Sequence, residues 1–314
     1  ARRRRALPYA GEVAALNAAL DRKVAQRQLA SYRVLEDSQE TPLAPGLHRF
    51  LVELAREGRG FPTACTGVDF DREQALLKAY AEALERCQAL ECGPLTRGYS
   101  FRSRTYQEKL VALETSNGVA FHRDFYACFL NSFLELLERH YLLRHWYGRL
   151  PPLAEIDIRG CETLERARRY FSERDAVFRA FLLDRAGPVH ILCFLVLTRL
   201  PGRDFNVLIS FSSHPDIRRA LDKAFFELCM EVLSPPRKRM KKDYATPASV
   251  TELFDHVFFY QDPSRVSCFD FLSQARVPLV RPGELGRSGP GTMGKVLQLA
   301  RDMDLTLWPL PLPA

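Results

Sequence analysis

The sequence predicts a mixed α/β (α+β) protein in which sheets are flanked by long helices. Three segments place apolar residues at helical spacing: Asp71 to Gln88, Phe125 to Trp146 and Asp216 to Leu233. Three apolar runs have the length of strands: Val177 to Leu183, Val189 to Leu197 and Asn206 to Phe211. The two kinds of segment alternate irregularly, which argues against a regularly wound parallel sheet. A chain of 314 residues can bury one large core or two.

Taken in order, Val13, Leu16, Leu20 and Val24 predict a helix within Gly11 to Ala30. A Pro-bracketed turn, Thr41 to Gly46, leads to a second expected helix, Leu47 to Arg56, ended by Gly58 and Gly60. The stretch GFPTACTG reads as strand or loop before the Asp71 helix, for which Asp69 or Asp71 is the expected N-cap. Ala75, Leu76, Ala79, Ala83 and Leu84 form its apolar stripe. Gly93 to Ser103 is polar and Gly-containing, Lys109 to Glu114 reads as a strand, and Thr115 to Gly118 as a turn in which Asn-Gly favours positive φ. The Phe125 helix stops at Gly148, before Pro151-Pro152. Beyond it come an extended run at Ile156 to Ile158 and a short helix at Glu162 to Phe171. After the Asp216 helix, Ser234 to Ala248 is a loop by composition, and two modest helices are expected near Ser249 to Tyr260 and Met293 to Asp304. The alternate prolines of WPLPLPA favour an extended, polyproline-like tail.

Net charge is +7, much of it in Arg2 to Arg5 and Arg237 to Lys242. Such runs attract nucleic acid or anionic surfaces, but more often they are solvated tails and loops, so neither nucleic acid nor membrane is the expected partner. No apolar stretch approaches the roughly 20 residues that span a bilayer. The opening ARRRR has no apolar segment after it, unlike a signal peptide. Eight cysteines are scattered without a C-x-x-C pair, which disfavours a zinc site and fits a reducing cytoplasm.

The chemical signal is a repeated ending. The Asp71 helix closes on Glu82, Glu85 and Arg86; the Phe125 helix closes on Glu135, Glu138 and Arg139, the same E-x-x-E-R. On one helix this is an ordinary solvated face with i,i+4 ion pairs. On two helices the same cluster could line one charged ligand. Carboxylates suit hard cations and Arg suits phosphoryl oxygens, so metal-bridged phosphate is the natural candidate. On the third helix Lys223 and Glu227 lie four apart and could complete such a lining. There is no Walker sequence, kinase glycine loop, G-x-S-x-G, H-E-x-x-H or dinucleotide fingerprint, so the common nucleotide folds, hydrolases, zinc proteases and Rossmann oxidoreductases are unsupported. His122, beside Arg123 and Asp124 at a helix start, reads first as a capping or packing residue.

The order A-x-x-x-A-x-x-E-x-x-E-R (Ala75 to Arg86), then Ser116-Asn117-Gly118 ahead of the second E-x-x-E-R, then a helix ending in Glu227-Leu228, resembles the YcaO family. The tail Pro309-Leu310-Pro311-Leu312-Pro313 is similar to the P-x-P-x-P ending of that family's azoline-forming members. Each helix motif is weak alone, whereas four in order are fairly specific. The resemblance covers roughly residues 60 to 314 and looks most like the cyclodehydratase (heterocyclase) subunit of microcin-type synthetases. It implies a YcaO-like catalytic domain over 61–314, preceded by an N-terminal helical segment over 1–60, with an ATP site between helices.

The implied chemistry is ATP- and Mg2+-dependent. A Cys, Ser or Thr side chain of a ribosomally made peptide attacks the preceding amide carbonyl, and phosphorylation of the resulting oxyanion lets it leave, giving thiazoline or oxazoline. Carried over residue by residue, Glu82, Glu85, Glu135, Glu138 and Glu227 would be metal ligands. Lys78, Arg86, Asn117, Arg123, Arg139 and Lys223 would bind or orient ATP phosphates, and Pro309, Pro311 and Pro313 would lie by the reacting amide. The implied partners are the precursor peptide, a ThiF-like or winged-helix leader-binding protein and a flavin-dependent azoline dehydrogenase, in a dimer or larger complex. The pattern departs from the family at Ala127 and Met230, where metal-side residues are usual. A YcaO-like scaffold that has lost catalysis, or a thioamide- or amidine-forming enzyme, are the alternatives.

Overall fold

The computed structural model describes residues 9–308 except 27–28, 38–40, 56–62, 92–94, 112–116, 123, 235–243, 245, 252, 287–288 and 290. Arg2 to Arg5, Arg123, the Arg237 to Lys242 run and the three tail prolines therefore lie outside the described residues. The chain is mixed α/β, as its sequence predicts, and it divides into two compact units. Unit 1 comprises residues 1–41, 45–133 and 297–314; unit 2 comprises 42–44 and 134–296. Among the described residues no helix is long and apolar enough to cross a membrane.

Unit 1 begins with α1 (Ala10–Ala25) and an antiparallel sheet of β1 (Ser31–Glu36), β2 (His48–Ala55) and β3 (Thr63–Asp69), in that spatial order. The boundary expected after residue 60 lies between β2 and β3, which pair over seven positions. The helix expected over Leu47 to Arg56 is instead β2. Phe50, Val52 and Leu54 are buried at a period of two, facing Leu20, Ala79 and Ala83 in one core cluster.

The third wall of that core is α2 (Arg72–Glu91), the expected Asp71 helix. Asp71 is its N-cap, accepting from the N–H groups of Glu73 (2.9 Å) and Gln74 (3.0 Å). The helix presses against β3 at Gly67, where a Cβ would stand 1.9 Å from the Ala75 carbonyl oxygen and 2.5 Å from the Ala79 nitrogen. Only glycine permits that approach.

A second sheet of unit 1 places β4 (Leu95–Ser100) between β5 (Thr105–Val111) and the short β11 (Thr306–Leu307). The polar, Gly-containing stretch Gly93 to Ser103 thus contains a central strand. α3 (Phe125–Gly148) matches its expected span and carries residues of both units, Phe133 being the last of unit 1.

Unit 2 holds a five-stranded sheet in the order β10-β6-β7-β8-β9, formed by β6 (Ala154–Ile156), β7 (Val177–Ala186), β8 (Val189–Leu197), β9 (Val207–His214) and β10 (Leu279–Val280). Every pairing is antiparallel except β10 with β6. β8 is buried along nearly its whole length, as its apolar sequence, interrupted by His190, requires. α4 (Glu162–Ser172) supplies Phe171 to an aromatic cluster with Phe178 and Phe205, and Phe178 meets Phe194 edge-on. The helix expected over Ser249 to Tyr260 is a 3-10 turn, Pro247–Ser249, followed by α6 (Leu253–Phe259). A 3-10 helix (Pro263–Phe269), the helical turn α7 (Asp270–Ser273), a second 3-10 turn (Pro282–Glu284) and α8 (Thr292–Asp302) follow.

α5 (Ile217–Leu233), capped by the Asp216 side chain, is fixed to β9 by two serine hydroxyls. Ser210 Oγ donates to the Ala224 carbonyl at 2.8 Å and Ser212 Oγ to that of Ala220 at 2.7 Å. The next residue, Ser213, points the other way and donates to the Leu134 carbonyl of α3 at 2.6 Å. β9 is therefore the strand that sets the second half of α3 against α5.

Candidate functional site

That placement brings together the expected residues of unit 2. Lys223 Nζ on α5 donates to Glu138 Oε2 on α3 at 2.9 Å, and Glu138 is only 3% exposed. Burial would lower the lysine pKa, but Glu138, Glu227 and Glu135 outweigh it and hold the ammonium above its ordinary value. Arg139 lies 3.9 Å from Glu135, one turn along the same helix, and projects into solvent. The three carboxylates that act on the Lys223 ammonium thus outnumber the two cations beside them, Lys223 and Arg139, by one formal charge. Such an oxygen-rich, net anionic donor set fits a hard divalent cation.

Among the described residues no group of three or more His, Cys, Asp or Glu side chains is placed to hold a metal ion by itself. Mg2+ in nucleotide sites is typically held by one or two carboxylates together with phosphate oxygens and water, so this open arrangement also fits.

Unit 1 carries the other E-x-x-E-R. Glu82 spans two partners: one oxygen accepts from the Thr66 N–H of β3 at 2.6 Å, the other from Arg86 at 2.5 Å. Burial acts to lower the Arg86 pKa, yet Glu82 and Glu85 raise it on balance, so the guanidinium is firmly charged. Beneath them the Cys65 thiol is pushed well up by burial and then by Glu82, leaving it protonated and inert.

Lys78 is already engaged, with Asp69 at 2.7 Å and the Val68 carbonyl at 3.1 Å. Asn117 stands exposed in the expected turn, where Gly118 has φ +75°. That turn is tied to α3 within unit 1: Ser132 Oγ donates to the Gly118 carbonyl and Cys128 Sγ to that of Ala120 at 3.0 Å. His122 accepts from the Asp124 N–H at 2.9 Å and Asp124 accepts from the Ala127 N–H, so both serve the start of α3.

The sequence reading did not anticipate Thr66, Gly67 or Asp69 as neighbours of the charged residues of α2. Gly67, four residues before the Asp71 cap, was the available signal, since glycine inside a strand marks close backbone approach.

Residues 94–294 match the family model described as YcaO cyclodehydratase, ATP- and Mg2+-binding. The chain belongs to the YcaO family, and ATP and Mg2+ are the ligands of that family's description. Among solved structures it is similar to YcaO from Methanopyrus kandleri bound with AMPPCP and Mg2+, with TM-score 0.63 and 16% identity over 91% of this chain and 80% of that one. A heterocyclase in complex with substrate and cofactor gives TM-score 0.63 and 14% identity over 91% of this chain, which spans about half (49%) of that longer protein. The E. coli microcin synthetase McbBCD complex with pro-MccB17 bound gives TM-score 0.59 and 14% identity, over 85% of this chain and 80% of that one. At these identities the likeness is one of fold. No curated protein matches the sequence.

Proposed function

We propose that this chain carries out ATP- and Mg2+-dependent cyclodehydration of Cys, Ser or Thr residues in a ribosomally made precursor peptide, giving thiazoline or oxazoline rings. The observation that carries the reading is the Lys223–Glu138 contact set among Glu135 and Glu227, a net anionic cluster of the kind that holds Mg2+. Family membership and the heterocyclase-like fold support it.

In this reading Glu135, Glu138 and Glu227 offer oxygen ligands to the metal, while Lys223 and Arg139 orient phosphate oxygens. Glu82, Glu85, Arg86, Lys78, Asn117 and Arg123 keep the roles that the family resemblance implies, as do Pro309, Pro311 and Pro313. Bound ATP supplies the phosphoryl group that carries away the amide oxygen, so the elements of one water leave the peptide as ATP becomes ADP and phosphate. The protein's own task is positioning and charge neutralisation, which dominate phosphoryl transfer. The bound pro-MccB17 of the similar complex supports a peptide substrate and a multi-subunit assembly. A ThiF-like or winged-helix leader-binding protein and a flavin-dependent azoline dehydrogenase are the partners proposed.

The test is mass spectrometry of candidate precursors co-expressed with this chain and its neighbouring gene products. Loss of one water mass per ring, abolished by Glu138→Ala, is expected. Unmodified peptide with every partner set would sink the proposal.

A second reading, a binding subunit without catalysis, is favoured by Ala127, by Met230 and by the engagement of Glu138 with Lys223. Titration of the assembled complex with Mg-ATP separates the two, because the scaffold reading expects no binding.

A further inference from the structure

The antiparallel register of β11 with β4 pairs Thr306 with Ser100 and Leu307 with Tyr99, so the next residue, Trp308, falls opposite Gly98. A Cβ built on Gly98 would stand 2.7 Å from Trp308 Cδ2, 2.8 Å from its Cε2 and 2.8 Å from Thr306 Cγ2. Real side chains do not approach so closely, and the obstructing atoms are the ring-fusion carbons of the indole, which cannot move without turning the whole ring. Gly98 is itself buried in the middle of a strand, where glycine is otherwise unfavourable. Its missing side chain is the space that the indole fills.

Three further contacts hold the approach to this point. The Phe101 N–H donates to the Leu305 carbonyl at 3.0 Å, the Leu305 N–H to that of Ala300 at 2.9 Å, and Arg102 pairs with Asp304 at 3.2 Å. Trp308 is covalently followed by Pro309-Leu310-Pro311-Leu312-Pro313. Trp308 is the last described residue before that segment, so its seat is the segment's attachment to the sheet.

We infer that Gly98 is a positioning residue: it seats the Trp308 indole and thereby fixes the point from which the proline segment leaves β11. The inference rests on the proposed azoline-forming role of that segment, which a misplaced anchor would impair without weakening ATP binding.

The experiment compares wild type, Gly98→Ala and the double variant Gly98→Ala/Trp308→Leu in the full chain with its partner proteins. Hydrogen–deuterium exchange of peptides covering 303–308 reads the seat directly. Gly98→Ala should remove protection there, and the smaller leucine should restore part of it. In turnover, Gly98→Ala should lower kcat by roughly tenfold to a hundredfold, with little change in KM for ATP, and the double variant should recover part of the loss. Unchanged exchange in Gly98→Ala would overturn the seat. Lost protection with unchanged kcat would overturn its positioning role, as would equal losses in kcat and ATP affinity. A wild-type complex that forms no rings under any condition counts against the proposed function, while the exchange result still decides the seat.

Discussion

Glu138 and Lys223 meet across two helices with unequal exposure, 4% and 43% of their side chains respectively. The carboxylate needs a cation; the ammonium can turn to water. Glu138→Gln keeps the volume and can still accept from Lys223, so urea denaturation should show stability close to wild type. Titration should show Mg-ATP bound about tenfold or more weakly, since a contact to a charged group is worth roughly 1.5–3 kcal/mol. If affinity is unchanged, Glu138 is a packing residue. Lys223→Met should instead destabilise the protein by about 1–2 kcal/mol, less than for a fully buried pair because the lysine is partly solvated.

A second residue of unit 2 predicts pH dependence. His190 is 2% exposed and its Nδ1 has no hydrogen-bond partner. It lies between Arg185 on β7 and His214 on β9, with the α5 cap Asp216 also near. Burial, then Arg185, pushes its pKa down from 6.5 to about 4, with Asp216 opposing and His214 adding to the fall. The unfolded chain therefore takes up this proton at a higher pH than the folded one, and stability is lost as pH drops from 6.5 to 4. Between pH 7 and 5 the loss from this group is about 2 kcal/mol. Denaturation curves at the two pH values should show it, and His190→Leu should flatten the difference, leaving a smaller slope from His214, whose pKa burial also lowers.

Among the elements, α2 depends most on a single position. Gly67→Ala would drive a methyl group into the backbone of Ala75 and Ala79, forcing helix and strand apart and breaking the Thr66–Glu82 hydrogen bond. A loss of about 3 kcal/mol or more is expected in urea denaturation. A loss under about 1 kcal/mol would mean that α2 is free to shift.

The same elements explain what was legible in the sequence. α2, α3 and α5 are long enough for a 3.6-residue period to be unambiguous, and their ends follow from Asp71, Gly148 and Asp216. β2 is not. Leu47, Phe50, Leu51 and Leu54 satisfy helical spacing, yet Phe50, Val52 and Leu54 satisfy alternation equally well, and eight residues cannot decide between them. β4 was hidden because Gly98 reads as a loop residue, and its reason for being glycine, the indole of Trp308, lies far along the chain. The charged cluster of unit 2 was visible residue by residue. The pairing that assembles it was not, because it depends on Ser210, Ser212 and Ser213, polar residues in a strand that carry no motif.

At the scale of the whole molecule the basic runs have no assigned task. Replacing Arg237, Lys238, Arg239, Lys241 and Lys242 with Gln should leave ring formation unchanged in the mass-spectrometric assay; its loss would point to a nucleic-acid or partner contact through those residues.

Unit 1 draws its chain from both sides of unit 2, through α3 and back through α8. This connectivity imposes a schedule on synthesis. The β4–β5 hairpin leaves the ribosome roughly 200 residues ahead of β11, which at 5–20 residues per second is a delay of about 10–40 s. Throughout that interval the whole of unit 2 emerges while one edge of β4 still lacks its neighbour. The Trp308 seat on Gly98 can thus form only after residues 134–296 have been synthesised, so unit 1 closes later than the chain of unit 2 is made.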